Sequence, residues 1–120
     1  MVLCDVIRHR EIPFGEVRTR RHELATLRQA FGDAHMEPLG LYRERAETVG
    51  LEVDQVVDLT QATLPTFDRW RRNLDANREE VVAALGQDDV DAFARATDIL
   101  EAYWQDGLLG YGLLAARKPA

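Results

Sequence analysis

Apolar positions in this chain fall into three short, nearly unbroken runs, separated by stretches in which they recur every three or four residues. The last run is the most apolar. Gly107 breaks the chain after Trp104 to Asp106, and Leu108–Leu114 then continues into Arg117 and Lys118. A strand with one wet face alternates apolar and polar side chains, so a run this uniform belongs in the interior of a sheet. Met1–Ile7 (MVLCDVI) is a second such run, with Asp5 as its only charge. Leu51–Leu59 (LEVDQVVDL) is a third, alternating at first and then apolar at Val56 and Val57. The three runs predict three strands.

Between them the period becomes helical. After a punctuated turn, Arg8–Gly15, a helix is expected from Glu16 with Val17, Leu24, Leu27 and Phe31 on one side, closed by Gly32 and Asp33. Pro38 suits the first turn of a second helix striped by Leu39, Tyr42, Ala46 and Val49, and Gly50 sits where a left-handed cap belongs. Past a loop at Thr60–Thr63, Pro65 opens a third helix carrying Phe67, Trp70, Leu74, Val81 and Leu85, ended by Gly86. Asp88 or Asp89 is expected to cap a fourth, whose inward positions are Val90, Phe93, Ala96, Leu100 and Tyr103. The order is β-α-α-β-α-α-β. Strands joined by a helical crossover are expected to run parallel. The most apolar strand is expected between the other two, which leaves Met1–Ile7 on an outside edge. An apolar strand with an open edge is a pairing liability, so a partner is expected there. The fold class is therefore α/β: one domain over residues 1–120, a small three-stranded mixed sheet covered by about four helices.

Composition narrows the function classes. Hydrophobic residues at 46% and charged ones at 30% describe a globular chain rather than a disordered one. A net charge of −6 disfavours nucleic acid and anionic membranes, which require a positive surface. No apolar run approaches the roughly 20 residues that span a bilayer. Met1 is followed at once by Val-Leu-Cys with no basic region, so no secretory leader is expected. The single cysteine, Cys4, has no internal disulfide partner and is expected in the core. A cytoplasmic setting follows as the expectation.

Ligands of open parallel sheets bind outside the carboxyl ends of the strands. For the first strand that end is Arg8, His9 and Arg10. His9, and His22 on the first helix, are the candidate general bases, with His35 a further histidine after that helix. The three histidines lack metal-ligand spacing, so no zinc is expected. Arg8, Phe14, Tyr42 and Trp70 are the candidate substrate-binding residues, the aromatics lining an apolar pocket with polar tips at Tyr42 and Trp70. The same helical spacing also suits ordinary core, and Phe67, Trp70 and Trp104 suit a dimer interface between long helices.

Several of these features come in a recognisable order: the strand Met1–Ile7, the helix Glu16–Phe31, Val49-Gly50-Leu51 leading into the second strand, and the ending Trp104…Leu108-Leu109-Gly110-Tyr111-Gly112-Leu113-Leu114-Ala115-Ala116-Arg117-Lys118. Together they resemble the C-terminal half of a class I S-adenosylmethionine-dependent methyltransferase of the small-molecule, natural-product type. The resemblance implies that Met1–Ile7 is the family's fifth strand, Glu16–Phe31 its cover over the substrate pocket, and the tail its seventh, antiparallel strand. That family holds its cofactor on the first half of the fold, through a glycine-rich turn where the backbone approaches the ligand closely. This sequence has no G-x-G-x-G, and its nearest pair, Gly110 and Gly112, lies within a strand with no helix after it. No cofactor-binding residue is therefore assigned to this chain alone; S-adenosylmethionine is expected only if another chain or segment supplies that half. Three functions are expected to compete: the substrate-side half of such a methyltransferase, a cofactor-free ligand-binding or cyclase-type protein, and a non-catalytic oligomerising fragment. The expected partner is a second copy or a chain bearing the cofactor half, with a small-molecule substrate.

Overall fold

The most apolar run does take the middle of the sheet. In the computed structural model, which describes residues 1–33 and 35–120, β3 (Leu109–Arg117) lies between β1 (Val2–Arg8) and β2 (Glu52–Asp58). Both ladders are antiparallel, running from Val2 opposite Ala115 to Arg8 opposite Leu109, and from Glu52 opposite Arg117 to Asp58 opposite Gly112. The outer strands thus share one direction without touching, and the antiparallel last strand separates them. Asp54 is an extra residue in its ladder, between Val53 opposite Ala116 and Gln55 opposite Ala115. One consequence governs everything that follows. The carboxyl ends of β1 and β2 meet at the same edge of the sheet, beside the start of β3.

Alternation along β3 divides the faces. On one, α3 (Leu39–Thr48) packs Ala46 against Leu114 and Ala116, with Tyr42, Leu51 and Val53 around them. Gly50 ends that helical segment at φ +88°, the left-handed value expected of it. On the other face lies α7 (Gln87–Gln105), packed against α2 (Arg21–Phe31), with α1 (Phe14–Thr19) leading into α2. Leu27 of α2 and Ala96, Leu100, Tyr103 and Trp104 of α7 form a common core with Leu108 and Leu109, joined by Phe67 from the helix that follows β2.

Helices that the periodicity makes continuous are broken in the structure. The first is divided at Arg20, whose guanidinium bonds Glu16 at 2.9 Å and lies 5.0 Å above the Tyr103 ring. The third is divided at Asn77 into α5 (Thr66–Ala76) and α6 (Arg78–Leu85). There the Asn77 side-chain amide donates to the Asn73 carbonyl at 2.9 Å, competing with the helical ladder. Thr60–Thr63, expected as loop, is a single turn, α4, whose Thr63 hydroxyl bonds the Leu59 carbonyl. Gly86, rather than an aspartate, precedes α7, and no side chain caps it.

The second face is only half covered. Beyond Tyr111, the positions on the side of α7 are Val2 and Cys4 of β1, Leu113 and Ala115 of β3, and Val57 of β2. Val2 is 68% exposed, and Cys4, expected in the core, is exposed as well. Cys4 lies opposite Leu113, past the reach of the helices, so its strand position carries no burial. Among the described residues no strand pairs with the outer edge of β1. Among the described residues no helix is long and apolar enough to cross a membrane.

Candidate functional site

Gly110 sets the geometry of the carboxyl edge. A Cβ there would collide with the Thr60 hydroxyl and the His9 ring, so the bare backbone lets side chains from both outer strands meet over β3. His9, one residue past β1, reaches across to Asp58 at the end of β2, with Nε2 2.8 Å from Oδ2. The other carboxylate oxygen accepts the Thr60 amide at 2.9 Å and the Thr60 hydroxyl. Thr60 is buried, and its hydroxyl oxygen in turn accepts the Tyr111 amide at 3.2 Å. Partial burial pushes the Asp58 carboxyl up, but the Thr60 bonds and His9 outweigh it and hold the group below its usual value. A carboxylate accepts, so Nε2 of the His9 ring donates to Asp58. Whenever the ring is neutral, Nδ1 carries its lone pair.

The other expected site residues scatter. On the face beside α3, the Tyr42 hydroxyl donates to Asp5 Oδ2 at 2.8 Å, while the Val6 amide donates to Oδ1. Burial first, and then the Asp5 carboxylate, push the Tyr42 phenol up and keep it protonated. Arg8 reaches Glu11 at 3.4 Å; its Nε is buried without a partner among the described residues. Trp70 stands in a cluster of rings with Phe31, Phe67 and Phe93. Phe14 opens α1 and is 81% exposed, so most of its ring faces solvent. His22 lies on the exposed side of α2, and its ring makes no hydrogen bond among the described residues.

A cavity of about 450 Å³ lies between α2, α7 and β1, walled by Leu24, Leu27, Phe31, Trp70 and Leu100, with Asp5 on its border. Arg28 and Asp33 at its rim pair with each other at 2.7 Å, and His35 also lines it. Its size falls within the range of about 300–1,000 Å³ usual for small-molecule sites. Sequence reasoning passed over Asp5, Asp58 and Thr60. Asp5 as the single charge of an apolar strand, and Asp58-Leu59-Thr60 at a strand end, were the available signals.

Solved structures of other proteins share this fold. Mycolic acid cyclopropane synthase CmaA1, solved with SAH and CTAB, superposes with a TM-score of 0.78 at 16% identity, over 98% of this chain and 44% of its own. This is part of a methyltransferase fold. Phosphoethanolamine N-methyltransferase 2 of Haemonchus contortus, solved with phosphomonomethylethanolamine and S-adenosylhomocysteine, matches at 0.74 and 16% identity, over 99% of this chain and 26% of that one. The cyclopropane synthase MmaA2 of Mycobacterium tuberculosis matches at 0.75 and 11% identity, over 98% and 43%. The chain spans less than half the length of each. No family model and no curated protein matches it by sequence. Structures solved with SAH or S-adenosylhomocysteine raise the question of whether this chain fits that group. Its two closely spaced glycines do not form a ligand-facing turn. The space over Gly110 holds His9 and Thr60, and a Cβ on Gly112 would lie 2.8 Å from Leu39. The glycine-rich turn such a cofactor requires is not built from these residues.

Proposed function

We propose that this chain supplies the substrate-side half of an S-adenosylmethionine-dependent small-molecule methyltransferase of the natural-product type. The cofactor-binding half comes from another segment or another chain, in a cytoplasmic setting. The observation that carries the reading is the asymmetry of the fold match: nearly all of this chain is accounted for, and less than half of each solved structure. The surface supports it. The chain exposes 8038 Å², whereas a self-contained protein of 13.6 kDa exposes roughly 6,600 Å². Its radius of gyration is 16.8 Å, against roughly 14 Å for a compact domain of this length.

In this reading the substrate lies at the carboxyl edge on the α3 side of the sheet, and His9 is the proton acceptor, its ring oriented by Asp58 and Thr60. Asp5 and Tyr42 orient a substrate hydroxyl or amine. Phe14 and His22, both exposed, would join such a site only through a docked partner. A cofactor-free ligand-binding protein is the second reading, favoured by a cavity that this chain forms by itself. Titration calorimetry of the purified chain with S-adenosylmethionine tests the first: no saturable heat is expected, and saturable binding would overturn the division of labour.

A further inference from the structure

Thr60 stands in the middle of a series of hydrogen bonds that begins on the main chain of β3 and ends on the His9 ring. Its hydroxyl oxygen lies 3.2 Å from the Tyr111 amide nitrogen, donates to Asp58 Oδ1, and is 3.4 Å from His9 Nε2. The Tyr111 peptide is held on both sides, because its carbonyl accepts the Leu59 amide at 2.8 Å. The Thr60 amide adds a second bond to the same Oδ1 at 2.9 Å. Thr60 is 6% exposed, whereas the side chains of Asp58 and His9 are 53% and 27% exposed. The buried member of the trio is the one anchored to the sheet, and the two wetter ones are placed by it.

The direction of the series follows from the chemistry of its ends. A main-chain amide only donates, and an ionised carboxylate only accepts. The hydroxyl between them has one hydrogen, so it accepts from Tyr111 and gives that hydrogen to Asp58. Both donors of residue 60 converge on Oδ1, which leaves Oδ2 for His9 and no hydrogen in the series for Nε2 to accept. Nε2 must bring its own. Gly110 makes the room: the Thr60 hydroxyl and His9 Cε1 both occupy the space that a Cβ would take.

We infer that Thr60 is the positioning residue of this edge: it fixes which carboxylate oxygen faces His9, and so confines proton uptake by the ring to Nδ1. This rests on the reading of His9 as proton acceptor, and it adds the atom that reacts and the side from which a substrate hydrogen must approach. The hydrogen leaves a substrate oxygen or nitrogen, which keeps the bonding pair, and joins Nδ1. The imidazolium that results still donates from Nε2 to Asp58, so the series of bonds is unchanged by the transfer.

Long-range nitrogen–proton NMR correlation on the histidine-labelled chain reads the tautomer of the neutral ring, with the His9 signal assigned by its loss in His9→Gln. No cofactor or substrate is present, so failure here is distinct from failure of the calorimetric test. Wild type is expected to hold the Nε2–H form. Asp58→Asn is expected to invert it: Thr60 still gives two hydrogens to the carboxamide oxygen, the NH2 group faces His9, and Nδ1–H prevails by about tenfold or more. Adding Thr60→Val to Asp58→Asn removes one of those two donors and is expected to return the ring to a mixture. Adding Thr60→Ser, which keeps the hydroxyl, is expected to leave the inversion intact. Asp58→Asn alters a half-exposed side chain without changing its shape, so it tests the direction of the series even where Thr60→Val disturbs packing. A mixture of tautomers in wild type, Nε2–H retained in Asp58→Asn, or an inversion equally complete with and without the hydroxyl would each overturn the role of Thr60.

Discussion

At Gly110 the missing side chain is what lets His9 from one outer strand meet Asp58 from the other, and the pair is only as stable as that gap. Gly110→Ala ordinarily helps a strand by restricting the unfolded chain. Here the added methyl meets Thr60 and His9, and we expect a loss of about 1–3 kcal/mol in denaturant unfolding from overpacking. An unchanged midpoint would show that the edge is looser than described. Asp58 offers a second test. Its carboxyl is held below the usual value, so its stabilisation is present above the unfolded value of about 3.9 and lost as pH falls through the lower folded value. The side chain is 53% exposed, so solvent screening keeps the effect below about 1 kcal/mol. Wild type should be the more stable at pH 5 to 6, and its advantage over Asp58→Asn should vanish by about pH 2 in unfolding curves.

Among the elements, α5 and α7 are joined by Arg71 as well as by the packing of Phe67 on Trp104. Arg71 bonds Asp98 at 2.7 Å and Glu101 at 3.0 Å on α7, and Asp68 at 3.0 Å on its own helix. Bonds to Glu101 and then Asp98 raise the guanidinium above its ordinary range, so it stays charged at any working pH. Arg71→Met is expected to cost about 1 kcal/mol, with the difference shrinking in 1 M salt as screening weakens the wild-type network. Chemical unfolding at two salt concentrations reads this directly, and a salt-independent cost would point to lost packing instead. The break at Asn77 belongs to the same scale. Asn77 also lines an open apolar hollow of about 420 Å³, with Trp70, Leu74, Val81, Leu85 and Phe93 around it.

For the whole molecule, the surplus of roughly 1,500 Å² of exposed surface over a sealed protein of this mass exceeds the roughly 800 Å² that one partner of a standard complex buries. The open outer edge of β1 and the uncovered face at Val2, Cys4, Leu113 and Val57 give it a location. Light scattering at micromolar concentration should find a dimer or larger assembly, or a complex with a cofactor-bearing chain. A compact monomer would contradict this. Cys4, exposed on that face, reports on the same surface: a thiol reagent should label it quickly in dilute protein and slowly once the partner is docked.

The three strands, the central place of the most apolar one, the cap at Gly50 and the absence of a glycine-rich turn were all set by the sequence itself. Periodicity and backbone permissiveness are local properties, carried by neighbours in the chain. The same reading named His9, Tyr42 and Trp70 but left Asp58, Thr60 and Asp5 without roles, and grouped Phe14 and His22 with them. Only the tertiary structure decided which of these meet. The His9–Asp58 pair closes 49 positions of separation across a glycine, and Trp70 stands between Phe31 and Phe93 through the packing of three helices. Such contacts depend on crossing angles, helix breaks and a single absent side chain, none of which a hydrophobic pattern encodes.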